Sequence, residues 1–375
     1  MKMIRSAGLS LLVAAWLAAC GGGEGPIPGS GSPAGAPTTK GTFTSVVSFG
    51  DSLSDIGSYN VGSIAGLGAA TGGAGRFTVN ATTGGQIWTE RIAALLPVAT
   101  TCAAQTGLQP SPQTGLTGAA FTAKPGCFNY AQGGSRVTSP YGVNSYLFQA
   151  PPFNQINLGA MTKPLEQQMA SHLSAVGGSY TGKELVTVLA GANDIFLELA
   201  SVAAGAQTPQ SAVTNVATAG ATLGQLVKNQ VVGKGAKQVL VLNVPDLLTT
   251  PFGKHQSAEV KSLIGAMNQA FNAQLAAQLT GVAGVVLADT YSESQAIAAN
   301  PAQYALTNVT DLSCGPNALS NPPSAPGTSL VCNASNVIKG DVSRYYFADD
   351  VHPTPYGHQL LSQFAARAMA QAGWL

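Results

Sequence analysis

The chain has 375 residues, of which 45% are hydrophobic and 9% charged, with 45 Gly and 22 Pro. That length allows one sizeable core, and the Gly and Pro content calls for many turns and long loops around it. With 17 Lys and Arg against 16 Asp and Glu the formal net charge is +1, which excludes the basic excess of a nucleic-acid binder and favours a neutral or locally recognised ligand.

Lys2 and Arg5 precede an apolar run from Leu9 to Ala19, too short for a membrane span and laid out like a secretory signal. It ends in Leu17-Ala18-Ala19-Cys20 ahead of three glycines, which looks like a bacterial lipobox with Cys20 as the acylated first mature residue. The alternative is an ordinary signal peptide cleaved near Ala19. Residues 1–20 therefore imply export, as an outer-membrane lipoprotein facing the periplasm or the cell surface, or otherwise as a secreted protein. Residues 21–42 are almost wholly small or polar and read as a flexible tether. A single domain is expected over residues 43–375, with membrane contact only through the anchor.

Within that domain four short apolar, β-branched runs are bounded by turn residues. They are Val46 to Phe49, Leu185 to Leu189, Val239 to Leu242 and Val285 to Ala288, each suited to a strand covered on both faces. Helical spacing is found over Ile87 to Leu96, Pro164 to Val176, Pro209 to about Val232, Ser257 to Leu279 and Pro355 to about Ala372. Several of these start at Pro and stop at Gly. Strands alternating with helices predict an α/β fold with a parallel sheet built from right-handed βαβ units. Gly57 to Gly85, Cys102 to Gly126 and Asn308 to Gly340 read as long loops.

Besides Cys20 the chain holds Cys102, Cys127, Cys314 and Cys332. In an oxidising compartment four cysteines allow three pairings. Cys102–Cys127 and Cys314–Cys332 are favoured because each pair brackets a loop rich in Gly, Pro, Thr and Ser. Metal ligation is the rival use, but no cysteine has a Cys or His partner at ligand spacing.

The string Gly50-Asp51-Ser52 follows the first strand directly, which puts Ser52 at a strand's carboxyl end, where open α/β sheets bind ligands. If a helical turn follows, its amides would face an anion there. A serine nucleophile needs a base. Of the four histidines, His352 has Asp349 three residues before it, a spacing at which the carboxylate can orient the imidazole. His172 and His255 read as solvated, and His358 as packed near the site without a carboxylate partner. The elbow G-x-S-x-G, H-E-x-x-H, the P-loop and the dinucleotide fingerprint are all absent from the sequence.

The strings GDSLSD, NYAQGGS, GAND and DDVHPT, in this order, resemble those of the SGNH hydrolase superfamily, and Gly75-Arg76-Phe77 with Trp88 and Glu90 resembles its GDSL-type lipolytic esterases. The likeness spans Ser48 to about Leu361 and implies a three-layer α/β/α, flavodoxin-like fold, with a parallel sheet of about five strands and helices on both faces. It implies Ser52 as nucleophile, His352 as base and Asp349, rather than Asp350, as acid. It also implies an oxyanion hole made by the Ser52 and Gly134 amides and the Asn193 side chain. The expected reaction is two-step acyl transfer on a small-molecule, lipid or polymeric ester, without metal or organic cofactor, failing as acid protonates the base. Loops rich in small residues favour short- or medium-chain acyl esters, or an accessible polymer end. Phospholipase, lipid acyltransferase and carbohydrate O-deacetylase activities remain alternatives within the same fold, and an inactive surface binding protein is the alternative outside enzymes. Oligomeric state is left open.

Overall fold

The computed structural model describes residues 43–82, 86–111, 114–147 and 158–375. Cys20, the expected signal segment and the tether lie outside them. The chain opens with β1 (Ser45–Gly50), α1 (Gly62–Thr71), α2 (Trp88–Ala94), β2 (Gln105–Leu108), β3 (Ala119–Ala123) and α3 (Leu165–Ala175). It continues through β4 (Glu184–Leu189), α4 (Ala192–Ala203), α5 (Pro209–Leu226), β5 (Gln238–Leu242) and α6 (Pro251–Lys254). The last elements are α7 (Ala258–Leu279), β6 (Val285–Ala288), α8 (Thr290–Ala299), β7 (Asn308–Leu312), β8 (Tyr345–Phe347) and α9 (Pro355–Gln371).

The four predicted apolar runs are the four strands of the main sheet, in the order β1-β4-β5-β6 and parallel throughout. One row of valines crosses it: Val47 pairs with Val186, Val186 with Val239, and Val239 with Val285. The fifth strand is reduced to a bridge. Phe128–Tyr130 runs parallel beside β1, where Ser48 N–H donates to the Phe128 carbonyl at 3.0 Å and Tyr130 N–H to the Ser48 carbonyl at 2.8 Å. Counting that segment, the spatial order is 2-1-3-4-5, the flavodoxin-like pattern, whose ligand crevice opens where the order reverses beside the first strand.

Alternating side chains of the sheet feed two cores. Val47, Phe49, Val186, Val188, Val239 and Val241 pack against α3, α4, α5 and α7. On the other face Val46, Leu185, Leu189, Leu240 and Leu242 meet α2 and α9, with Trp88 fully buried between them. Burying such side chains contributes roughly 1.5–3 kcal/mol each, which makes the sheet the rigid part of the molecule.

Some expectations need correction. The stretch Gly57 to Gly85 contains α1, whose Gly- and Ala-rich sequence GSIAGLGAAT gives little periodic signal. The stretch Cys102 to Gly126 contains the antiparallel pair β2 and β3, and Asn308 to Gly340 begins with β7, which pairs with β8 outside the main sheet. His172 is not solvated: it is 1% exposed, on the inner face of α3 with Leu165 and Met169. Four rings surround it, Phe49, Phe128, Tyr130 and Tyr180, with centroids 4.8–5.8 Å away. His255 is exposed as expected, and His358 is fully buried. Both favoured disulfides form, Cys102–Cys127 and Cys314–Cys332.

Candidate active site

β1 delivers Ser52 through a turn, not through the start of a helix. Asp51 Oδ1 accepts from Leu53 N–H at 3.1 Å, and Ser54 N–H donates to the Asp51 carbonyl at 3.1 Å. The side chain of Gln168 on α3 reads both polar groups of Gly50, accepting from its N–H and donating to its carbonyl, each at 2.9 Å. Trp88 Nε1 donates to Ser54 Oγ at 3.2 Å beneath the turn. Asp51 is 2% exposed, and burial pushes its carboxyl up to about 7 against the opposing pull of the Leu53 hydrogen bond and of His352.

His352 reaches this turn from the far end of the chain. Its Nε2 lies 2.8 Å from Ser52 Oγ, and its Nδ1 lies 2.8 and 2.9 Å from the two oxygens of Asp349. Asp349 also accepts from the amides of Val351, His352 and Ser329. Burial opposes its charge, but His352 and these donors prevail and hold the carboxyl well below its usual range. Asp350 is exposed, and its carbonyl accepts from Phe252 N–H. Phe77 lays its ring against His352, with centroids 5.0 Å apart. Arg76 ties that loop to α2 through a two-pronged pair with Glu90, at 2.6–3.1 Å.

Gly134 and Asn193 line the same cavity as Ser52 and His352. The amides of Ser52 and Gly134 donate to no acceptor among the described residues. Asn193 opens α4 and commits one of its two amide protons to the Ser135 carbonyl at 3.0 Å, leaving the other. Gly134 adopts φ 84°, and a Cβ there would sit 2.1 Å from the Val143 carbonyl oxygen, so no other residue fits. These three donors leave the carboxyl ends of three neighbouring sheet positions: the Phe128–Tyr130 bridge, β1 and β4. The crevice at the order reversal thus collects them in one place.

Several supports carry no role in a motif-based reading although some lie inside the strings. Asp55, fully buried, accepts from Gly57 N, Ser58 N, Ser58 Oγ and Gly133 N at 2.6–2.9 Å. Asp194 accepts from Arg136 Nε and Val137 N, each at 3.1 Å, and fixes the far side of the Gly133-Gly134 turn. His358 sits behind His352 with its pKa lowered by burial to about 3, so it stays neutral. Among the described residues no group of three or more His, Cys, Asp and Glu side chains is placed to hold a metal ion.

The cavity measures about 510 Å³, within the ~300–1,000 Å³ of small-molecule sites. Its walls are largely apolar. Phe196, Leu199, Ala200 and Ala203 line it from one stripe of α4, and Leu247, Phe252 and Val260 also line it. Phe196 and Phe252 meet edge to face at 5.2 Å.

A sequence profile of the GDSL-like lipase/acylhydrolase family matches residues 46–364. The chain belongs to that family and is an ester hydrolase. Among curated proteins no relative matches it.

Proposed function

We propose that the protein is a serine ester hydrolase that cleaves carboxylic esters of medium-length acyl chains through an acyl-enzyme. The observation that carries this reading is the unbroken hydrogen-bond chain Ser52 Oγ–His352 Nε2 and Nδ1–Asp349 at the base of an apolar cavity. Ser52 Oγ attacks the ester carbonyl carbon as its proton passes to His352 Nε2, and Asp349 stabilises the imidazolium. The carbonyl oxygen becomes an oxyanion held by the Ser52 and Gly134 amides and by Asn193 Nδ2. Collapse breaks the bond to the alkoxy oxygen, which leaves as the alcohol with the proton from His352. Water then attacks the acyl-Ser52 ester by the same steps in reverse and releases the acid.

Acyl length follows from α4. From Asn193 to Ala203 the helix rises ~15 Å at 1.5 Å per residue. An extended chain covers ~1.2 Å per bond, so the stripe accommodates roughly a dozen bonds. The apolar walls favour such a chain over an acetylated carbohydrate. The test is a p-nitrophenyl ester series from acetate to palmitate, with wild type and Ser52→Ala side by side. Activity peaking at octanoate to dodecanoate and lost in the variant is the expected result. A peak at acetate would sink the acyl track, and an active Ser52→Ala would sink the mechanism.

Export rests on the signal-like residues 1–20, and the two disulfides support an oxidising compartment. Cys20 as a lipid anchor predicts that Cys20→Ser shifts the protein from the membrane fraction to the soluble one and abolishes labelling by a fatty-acid probe.

A further inference from the structure

A trans peptide is planar, so whatever holds its carbonyl also aims its N–H. The Gly133 carbonyl and the Gly134 N–H belong to one such unit. Tyr59 Oη donates to the Gly133 carbonyl at 2.7 Å. Thr162 N–H in turn donates to Tyr59 Oη at 3.2 Å, so the hydroxyl's own proton is directed to Gly133. Tyr59 is 1% exposed, and burial, with the nearby Asp55 charge, raises its pKa far above the ordinary phenol value; it remains a donor at any working pH.

We propose that Tyr59 is a positioning residue for the oxyanion hole, its hydroxyl locking the Gly133–Gly134 peptide with the Gly134 N–H turned to the cavity. The inference rests on the reading of Ser52 as nucleophile and Gly134 as oxyanion donor. Two successive glycines make a peptide rotation inexpensive, and rotation would put the Gly133 carbonyl oxygen where the oxyanion must form. Tyr59 opposes that rotation. A hydrogen bond to the carbonyl also polarises the peptide and strengthens its N–H as a donor. The preceding peptide is fixed independently, since Gly133 N–H donates to Asp55 Oδ2 at 2.9 Å. The Tyr59 ring stands edge-on to Phe77 at 6.4 Å, and Phe77 packs on His352, so removing the hydroxyl alone leaves the contact with the base in place.

The test is Tyr59→Phe in the full chain beside a matched control, Tyr356→Phe, which loses a Tyr Oη bond of 2.8 Å to the Tyr304 carbonyl away from the cavity. Four quantities are measured: kcat per folded molecule, KM, inhibition by an alkyl boronic acid that mimics the tetrahedral intermediate, and the thermal midpoint. One oxyanion donor is worth ~10²–10³ in rate, so partial misalignment should lower kcat ~10–100-fold with KM nearly unchanged. Boronate affinity should fall in parallel, a loss that does not depend on the folded fraction. Tyr356→Phe should lose comparable stability but keep wild-type kcat. Wild-type kcat and boronate affinity in Tyr59→Phe overturn the proposal, as does an equal loss of kcat in both variants. Ser52→Ala separates the two levels. An inactive Ser52→Ala with an unimpaired Tyr59→Phe rejects the positioning role alone, whereas an active Ser52→Ala rejects the nucleophile and this inference with it.

Discussion

The two halves of the candidate site are built by different means. Ser52, Gly134 and Asn193 leave the ends of adjacent sheet positions, and their supports Gln168, Asp55 and Asp194 are buried beneath them. Asp349 and His352 follow β8, whose strand partner among the described residues is β7, away from the main sheet. That half is braced by irregular chain. Ser329 N–H donates to Asp349, Cys314 N–H to the Ala348 carbonyl and Thr78 Oγ1 to the Pro353 carbonyl, while the Cys314–Cys332 disulfide closes the assembly. The proposed nucleophile and oxyanion donors draw rigidity from the core, whereas the proposed acid and base draw it from a crosslink and a few long-range hydrogen bonds.

The largest effects test whether both halves are needed. Ser52→Ala should lower kcat by ~10⁶ and Asp349→Asn by ~10⁴, since the amide leaves the imidazole in the wrong tautomer. The thermal midpoint should change little in Ser52→Ala. A silent Asp349→Asn together with an inactive Asp350→Asn would transfer the acid role to Asp350. The next effect separates the halves. Replacing either disulfide by two serines should cost about 3 kcal/mol of stability, because the two enclose loops of similar length. Activity per folded molecule should then fall about tenfold, or ~1.4 kcal/mol, without Cys314–Cys332, and less than twofold without Cys102–Cys127. Equal losses would remove the distinction.

The smallest effect lies beneath the nucleophile half. Burial lowers the pKa of His172 from 6.5 to about 4, with the Glu184 charge opposing. The unfolded chain therefore binds a proton that the folded chain refuses between those values. The neutral ring's contribution is full above pH 6.5 and is lost as pH falls towards about 4. Urea unfolding at pH 7 and pH 5 should show His172→Phe relieved of ~1–2 kcal/mol of the wild-type acid loss. An unchanged acid loss in the variant would mean that His172 is protonated within the fold.

The sheet was legible because its four strands are short apolar runs between turn residues, and the helices because Pro and Gly mark many of their ends. The site was legible where its residues lie in contiguous strings. Asp349 was preferred to Asp350 because the resemblance places the acid three residues before the histidine. What stayed hidden depends on contacts distant in sequence. Phe128–Tyr130 is too short to read as a strand and acquires that role only by lying against Ser48. The acceptor of the Tyr59 hydroxyl, Gly133, lies 74 positions away. His172 was misread from its polarity, although its spacing from Leu165 and Met169 places it on the buried face of α3.

One consequence follows from α4 carrying Asn193 on its first turn and continuing as the apolar stripe of Phe196, Leu199, Ala200 and Ala203. In the proposed reading the oxyanion donor and the acyl-facing wall share a single rigid rod, with the donor on its first turn and the wall extending to its last. Such a helix works as a ruler with its zero mark at the reaction centre. Enlarging or trimming side chains farther along it, as Leu199→Trp would, resets the accepted chain length while the zero mark stays fixed. Selectivity in this molecule can therefore drift without retuning its chemistry.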